Sequence, residues 1–243
     1  MGRDTYRHAV RAQPGDWSAY LDANSALPGP RANLELVQAA ADEGSLEQFR
    51  AWLRTDSEYL RLCGAVGLGR LIADGQRDLL DELRTHASDP SWRVREGVAL
   101  GLQRFGARDM LALLDVMRTW QHGSLLERRA VVGALCEPPL LRDRAAAEAT
   151  LAILDEITSG LLAETDRRAD AFKVLRQALA YGWSVAVAAA PQRGKPLLEQ
   201  WLGSHDRDVA WLARENLKKD RLKRMDAEWV ARLNARVGKQ STS

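Results

Sequence analysis

Leu60-Arg61-Leu62-Cys63-Gly64-Ala65-Val66-Gly67-Leu68-Gly69-Arg70 recurs as Val94-Arg95-Glu96-Gly97-Val98-Ala99-Leu100-Gly101-Leu102-Gln103-Arg104, 34 residues further on. A third copy, shifted by a further 33, begins at Glu127-Arg128 and runs through Ala130 to Leu135; Asp206 to Lys218 reads as a degenerate one. Within a copy the apolar positions recur at helical spacing, as in Val94, Val98, Leu102 and Phe105, so each copy is an amphipathic helix. The small residues Gly97 and Gly101 admit a neighbouring helix at close range. Between the copies lie amphipathic stretches at Asp78 to His86 and Arg108 to Trp120, followed by the turn signals Ala87-Ser88-Asp89-Pro90 and Gly123-Ser124. Each unit therefore reads as helix, turn, helix.

Outside the copies the pattern is looser. Helical patterns at Asp16 to Asn24 and Ala32 to Ala41 flank Leu27-Pro28-Gly29-Pro30, which cannot continue a helix. Glu137-Pro138-Pro139 breaks the chain after the third copy, and Arg142 to Ser159 and Asp166 to Trp183 then read as long helices. Asp226 to Val237 is the last helical stretch, and Gly238 to Ser243 should fray. No segment alternates with period two between turn signals, so strands are not expected.

Composition narrows the function classes. The 243 residues carry 35 Lys and Arg against 33 Asp and Glu, a formal net charge of +2, and 46% are hydrophobic. Those values exclude a disordered tail and a strongly polybasic binder. Cys63 and Cys136 sit in helical segments without paired spacing, which excludes a disulfide scaffold or zinc ribbon and fits a reducing cytoplasm. The longest apolar run, Val185 to Ala190, is far short of the roughly 20 residues that span a bilayer. Met1-Gly2-Arg3-Asp4 leads into no apolar signal core.

Several motifs fail on inspection. Gly64, Gly67 and Gly69 lack dinucleotide-binding spacing and lie inside a helix, and Gly194-Lys195-Pro196 lacks the upstream glycine and following hydroxyl of a phosphate loop. His8, His86, His122 and His205 are dispersed; the last three fall near inter-helix turns. No cofactor and no metal is expected, and neither Gly-x-Ser-x-Gly nor His-Glu-x-x-His occurs.

Helix pairs repeating at about 33 to 47 residues are the signature of HEAT and armadillo solenoids. The expected fold is all-α, a right-handed α-solenoid of HEAT-like helix pairs (an α-α superhelix). We expect residues 1–56 to form an N-terminal helical cap, 57–225 the HEAT-like repeats, and 226–243 a C-terminal helix and frayed tail on one continuous solenoid.

Asp89-Pro90-Ser91-Trp92-Arg93-Val94-Arg95-Glu96 and Leu126-Glu127-Arg128-Arg129-Ala130-Val131 resemble the bacterial DNA alkylation repair proteins built from such repeats, whose alkylpurine glycosylases are the closest enzyme analogy. In that family a Trp followed four residues later by a carboxylate lies on one repeat helix, an Arg opens the next, and a second Trp comes later. Trp92 and Glu96 have the i, i+4 spacing that puts both on one helix face, and Arg129 matches the Arg. Where the family has Asp this chain has Glu96, and Phe172 or Lys173 stands where the later Trp is expected. The resemblance spans residues 57 to 220.

It implies duplex DNA held on a concave basic face. Trp92 would lie against a cationic alkylated purine, Glu96 would stabilise the oxocarbenium-like charge as the glycosidic bond breaks, and Arg129 would hold a phosphate. The same residues have structural readings. Trp92 covers an inter-helix turn, Glu96 is a first-turn acid favoured by the helix dipole, and Arg61, Arg95 and Arg128 are repeat arginines bonded to turn aspartates. A second basic feature is Arg214, Lys218, Lys219, Arg221, Lys223 and Arg224, read as one helix. The candidate site is thus Glu96 and Trp92 for catalysis and Arg129, Arg128, Arg93, Lys173, Lys218, Lys219 and Arg221 for DNA. The partner is duplex DNA or, for a non-enzymatic scaffold, another protein; no membrane is involved.

Overall fold

The computed structural model describes residues 2–240, with side chains to 238. Among the described residues there are fifteen α-helices and no strand. The chain divides into two compact units, 1–109 and 110–243. In each, helices pack chiefly on sequence neighbours, an arrangement compatible with an α-solenoid.

The first unit holds α1 (Arg3–Arg11), α2 (Ser18–Ala23), α3 (Leu34–Glu43), α4 (Leu46–Leu53), α5 (Glu58–Ala73), α6 (Leu80–Thr85) and α7 (Trp92–Arg108). Its most extensive packing is α5 on α7, the first two copies of the sequence repeat. The packing glycines show how close the helices lie: a Cβ on Gly69 would stand 2.1 Å from the Gly101 Cα of α7, and one on Gly67 would stand 2.4 Å from the Phe49 ring of α4. Leu62 and Val66 of α5 and Val94, Val98, Leu102 and Phe105 of α7 are buried.

The second unit holds α8 (Met110–Trp120), α9 (Leu125–Leu135), α10 (Arg144–Gly160), α11 (Asp170–Ala189), α12 (Pro191–Leu202), α13 (Arg207–Leu217), α14 (Asp220–Met225) and α15 (Ala227–Gln240). α11 is its centre, packed on α9, α10, α12 and α13. Buried Trp183 on α11 donates to the Thr158 hydroxyl of α10 at 3.0 Å. Asn216 of α13 is also buried: it accepts the Ser184 N–H at 2.7 Å and donates to the Leu179 and Leu212 carbonyls at 2.9 and 2.8 Å.

The repeat is visible at the caps as well. Ser57, Ser91 and Ser124 precede α5, α7 and α9, and each hydroxyl accepts a first-turn backbone N–H. These bonds satisfy donors that the helix itself leaves orphaned. Ser124 and Glu127 complete a reciprocal capping box.

Some extents differ from the sequence reading. α11 starts at Asp170 rather than Asp166 and runs on to Ala189. The basic stretch expected on one helix is two: α13 ends at Leu217, Lys219 is extended, and α14 starts at Asp220. Leu217 and Leu222 are both buried, and five residues of continuous helix would turn them about 140° apart, so the break lets both face inward. α15 continues through Gly238 to Gln240; the rest of the expected frayed tail, 241–243, lies outside the described residues. Among the described residues no helix is long and apolar enough to cross a membrane.

Candidate functional site

Many of the repeat arginines serve as struts between successive helices. Arg61 of α5 donates to the Asp89 carboxylate at 3.1 Å, and Arg95 of α7 donates to the Asp89 and Pro90 carbonyls at 2.6 and 3.0 Å. Arg128 of α9 reaches Glu164 at 3.1 Å and the Gly123 carbonyl at 3.0 Å. Arg167 pairs with Asp206 at 2.7 Å and Asp208 at 3.1 Å. Burial works to raise the Asp206 carboxyl, yet the hydrogen bond from Arg167 and backbone N–H donors outweigh it and leave it below its usual range.

The sequence-derived site is divided between the units, Trp92, Arg93 and Glu96 in the first and Arg128, Arg129 and Lys173 in the second. Trp92 opens α7 and is 53% exposed, so it does not serve as a buried turn cover. Glu96 follows one turn later on the same helix. Arg93 bonds Glu58 at 2.6 Å, and its guanidinium lies 4.7 Å from the Trp92 ring centroid, so this aromatic face already carries a cation.

In the second unit, Arg129 of α9 and Lys173, Arg176, Gln177 and Tyr181 of α11 line a cleft of about 550 Å³. An adjoining cleft of about 510 Å³ shares Lys173 and Arg176 and adds Arg167, Arg168, Arg207, Asp166 and Asp208. Together they present six cations against two carboxylates. Lys173 is exposed and bonds Asp170 at 2.9 Å, an i, i+3 surface pair that water screens. Arg176 pairs with Asp208 and lies 4.4 Å from the Trp211 ring centroid. Arg168 and Arg207 are exposed and have no acidic partner among the described residues.

Tyr181 is 45% exposed at one end of this face. Arg221 donates to its hydroxyl and stands 4.6 Å from its ring centroid, with the Lys219 ammonium at 5.8 Å. Lys218, at the end of α13, pairs with Glu215. The structure thus brings Arg129 and Lys173 into one cleft and places Lys219 and Arg221 around its Tyr181. Sequence reading did not single out Tyr181 or Arg207. The signal was present on α11, where Lys173, Gln177 and Tyr181 repeat at i, i+4, i+8 and so share one face of the helix.

Other nucleophilic chemistry finds no support. Cys63 and Cys136 are buried, and burial pushes both thiols up, that of Cys136 to about 12, so neither is a thiolate at neutral pH. Among the described residues no three His, Cys, Asp or Glu side chains gather as metal ligands. Fold and site together define an all-helical array with a localised basic face. Compared with family models, curated proteins and solved structures, the chain matches none.

Proposed function

We propose that this protein binds duplex DNA through its phosphate backbone, on the face formed by α9, α11 and the start of α13. The carrying observation is the pair of adjoining clefts that share Lys173 and Arg176 and set six cations against two carboxylates on a chain whose formal net charge is only +2. When the cations of such a cluster neutralise phosphates, the counterions condensed on the DNA are released, a sequence-independent source of affinity. Arg129, Lys173 and Arg207 are the phosphate ligands in this reading, since Asp208 already holds Arg176. Arg93 and Arg128 are left out, because Glu58 and Glu164 already hold them.

The test is fluorescence anisotropy of a labelled duplex across a salt series. Affinity is expected to fall steeply, with a log–log slope of about −0.9 for each phosphate neutralised. Lys173→Ala and Arg207→Ala should each weaken binding alike on unrelated sequences and make the slope shallower by about 1. No binding at low salt would overturn the proposal and leave a protein-binding scaffold.

A second reading, hydrolysis of the N-glycosidic bond of alkylated purines, is favoured by the exposure of Trp92 one turn before Glu96. In it, the Glu96 carboxylate stabilises the oxocarbenium-like charge and positions water. Glu96→Gln should then abolish base release from a methylated duplex while DNA affinity stays unchanged. Equal release by variant and parent would refute that role.

A further inference from the structure

Near the C-terminal end of α11 lies a third cleft, of about 420 Å³, with a different chemistry. Its floor is aliphatic, made by Leu141, Val185, Ala188 and Ala189 with Pro138 at its edge. The polar side chains that line it are three guanidinium groups, those of Arg142, Arg221 and Arg224; no carboxylate lines it. Arg221 is bonded to the Tyr181 hydroxyl. Arg142 and Arg224 are exposed, and among the described residues neither has a hydrogen-bond or ion-pair partner.

Three like charges around an apolar floor repel one another and lack a counter-ion on the protein, so the complementary ligand is an anion. The floor sets a second condition, because an ion such as phosphate alone leaves that apolar surface in water. Arginine only donates hydrogen bonds. The N–H groups of a nucleobase or a peptide would therefore find no acceptor among the lining side chains, whereas an alkyl chain brings no polar group to satisfy. A volume of this size lies within the range of small-molecule sites, roughly 300–1,000 Å³.

We propose that this cleft binds a single-chain anionic amphiphile of the medium-chain carboxylate class. Arg142 and Arg224 clasp its head in the bidentate geometry that guanidinium and carboxylate share. Its alkyl chain lies on Leu141, Val185 and Ala188. The site is independent of the DNA reading, since neither Arg142 nor Arg224 is among the proposed phosphate ligands.

Isothermal titration calorimetry of the full chain with decanoate, below its micelle concentration, tests this. Saturable one-to-one binding is expected, weakened at least tenfold in Arg142→Gln/Arg224→Gln, a pair of exposed positions whose change leaves the fold intact by circular dichroism. Acetate carries the head alone and octyl glucoside an uncharged head on a chain, so both should bind at least tenfold more weakly than decanoate. Absence of saturable decanoate binding, equal binding by the double variant, or equal affinity for either control would overturn the proposal. The double variant should also retain the parent's DNA salt slope, so failure of one reading is distinguishable from failure of the other.

Discussion

At Gly69 a single methyl group has nowhere to go, because the obstacle 2.1 Å away is the Gly101 backbone rather than a side chain that can swing aside. Alanine in a helix interior gains up to about 1 kcal/mol over glycine in propensity, but overpacking typically costs about 1–3 kcal/mol, and an immovable neighbour puts this site at the upper end. Gly69→Ala should therefore lower the urea midpoint, and an unchanged midpoint would show that α5 and α7 separate without cost. Asn216 is the opposite case, a buried polar side chain of which two hydrogen bonds join α13 to α11 and a third stays within α13. Asn216→Ala removes these bonds from the core, each worth about 0.5–1.5 kcal/mol net; denaturation that matches the parent would refute this role. The glycines were legible because small residues at helical spacing announce close packing. Asn216 was not, because a buried asparagine and a solvated one look alike until the partner carbonyls, one of them 37 residues away, are brought in.

Among the elements, α1 shows how charge holds a helix whose mean composition is polar. Arg3, Arg7 and Arg11 share one face at i, i+4, i+8 and clasp Asp42 and Glu43 at the end of α3, while Arg104 of α7 also reaches Asp42 at 2.6 Å. Burial works to raise the Asp42 carboxyl, but hydrogen bonds from Arg3 and Arg104 prevail and hold it below its usual value. Glu43 is lowered chiefly by its hydrogen bond from Arg11, against burial, with help from Arg7. Both carboxyls have lowered values in the folded state. Their contribution is therefore complete above the ordinary carboxylate range, about 4, and is lost as pH falls through the lowered values. The urea midpoint of the parent should drop more steeply below about pH 4 than that of Asp42→Asn/Glu43→Gln, and parallel curves would show that the clasp contributes nothing. Element boundaries were less legible than element identity. The split between α13 and α14 is dictated by where Leu217 and Leu222 must both be buried, a demand that lies in their surroundings and not in the local pattern.

Across the whole molecule, near-balanced charge conceals local imbalance. Arg54→Glu in the first unit and Arg207→Glu in the second change the net charge equally, and both side chains are exposed. If DNA binding depends on the basic clefts, only Arg207→Glu should shift the salt-dependent anisotropy curve markedly; equal shifts would mean that binding tracks net charge instead. The sequence by itself determined that the chain is helical, that it repeats, and where its main packing helices lie, because periodicity, small residues and turn signals act within a few residues of one another. It also held the cations, but not their roles. Only the tertiary structure decided that Arg61, Arg128 and Arg167 are struts bonded to acids 28 to 41 residues away, and that Arg129, Lys173 and Arg207 line clefts. The physical reason is that ion pairing falls off with distance in space, and separation along the chain does not specify that distance until helices have packed.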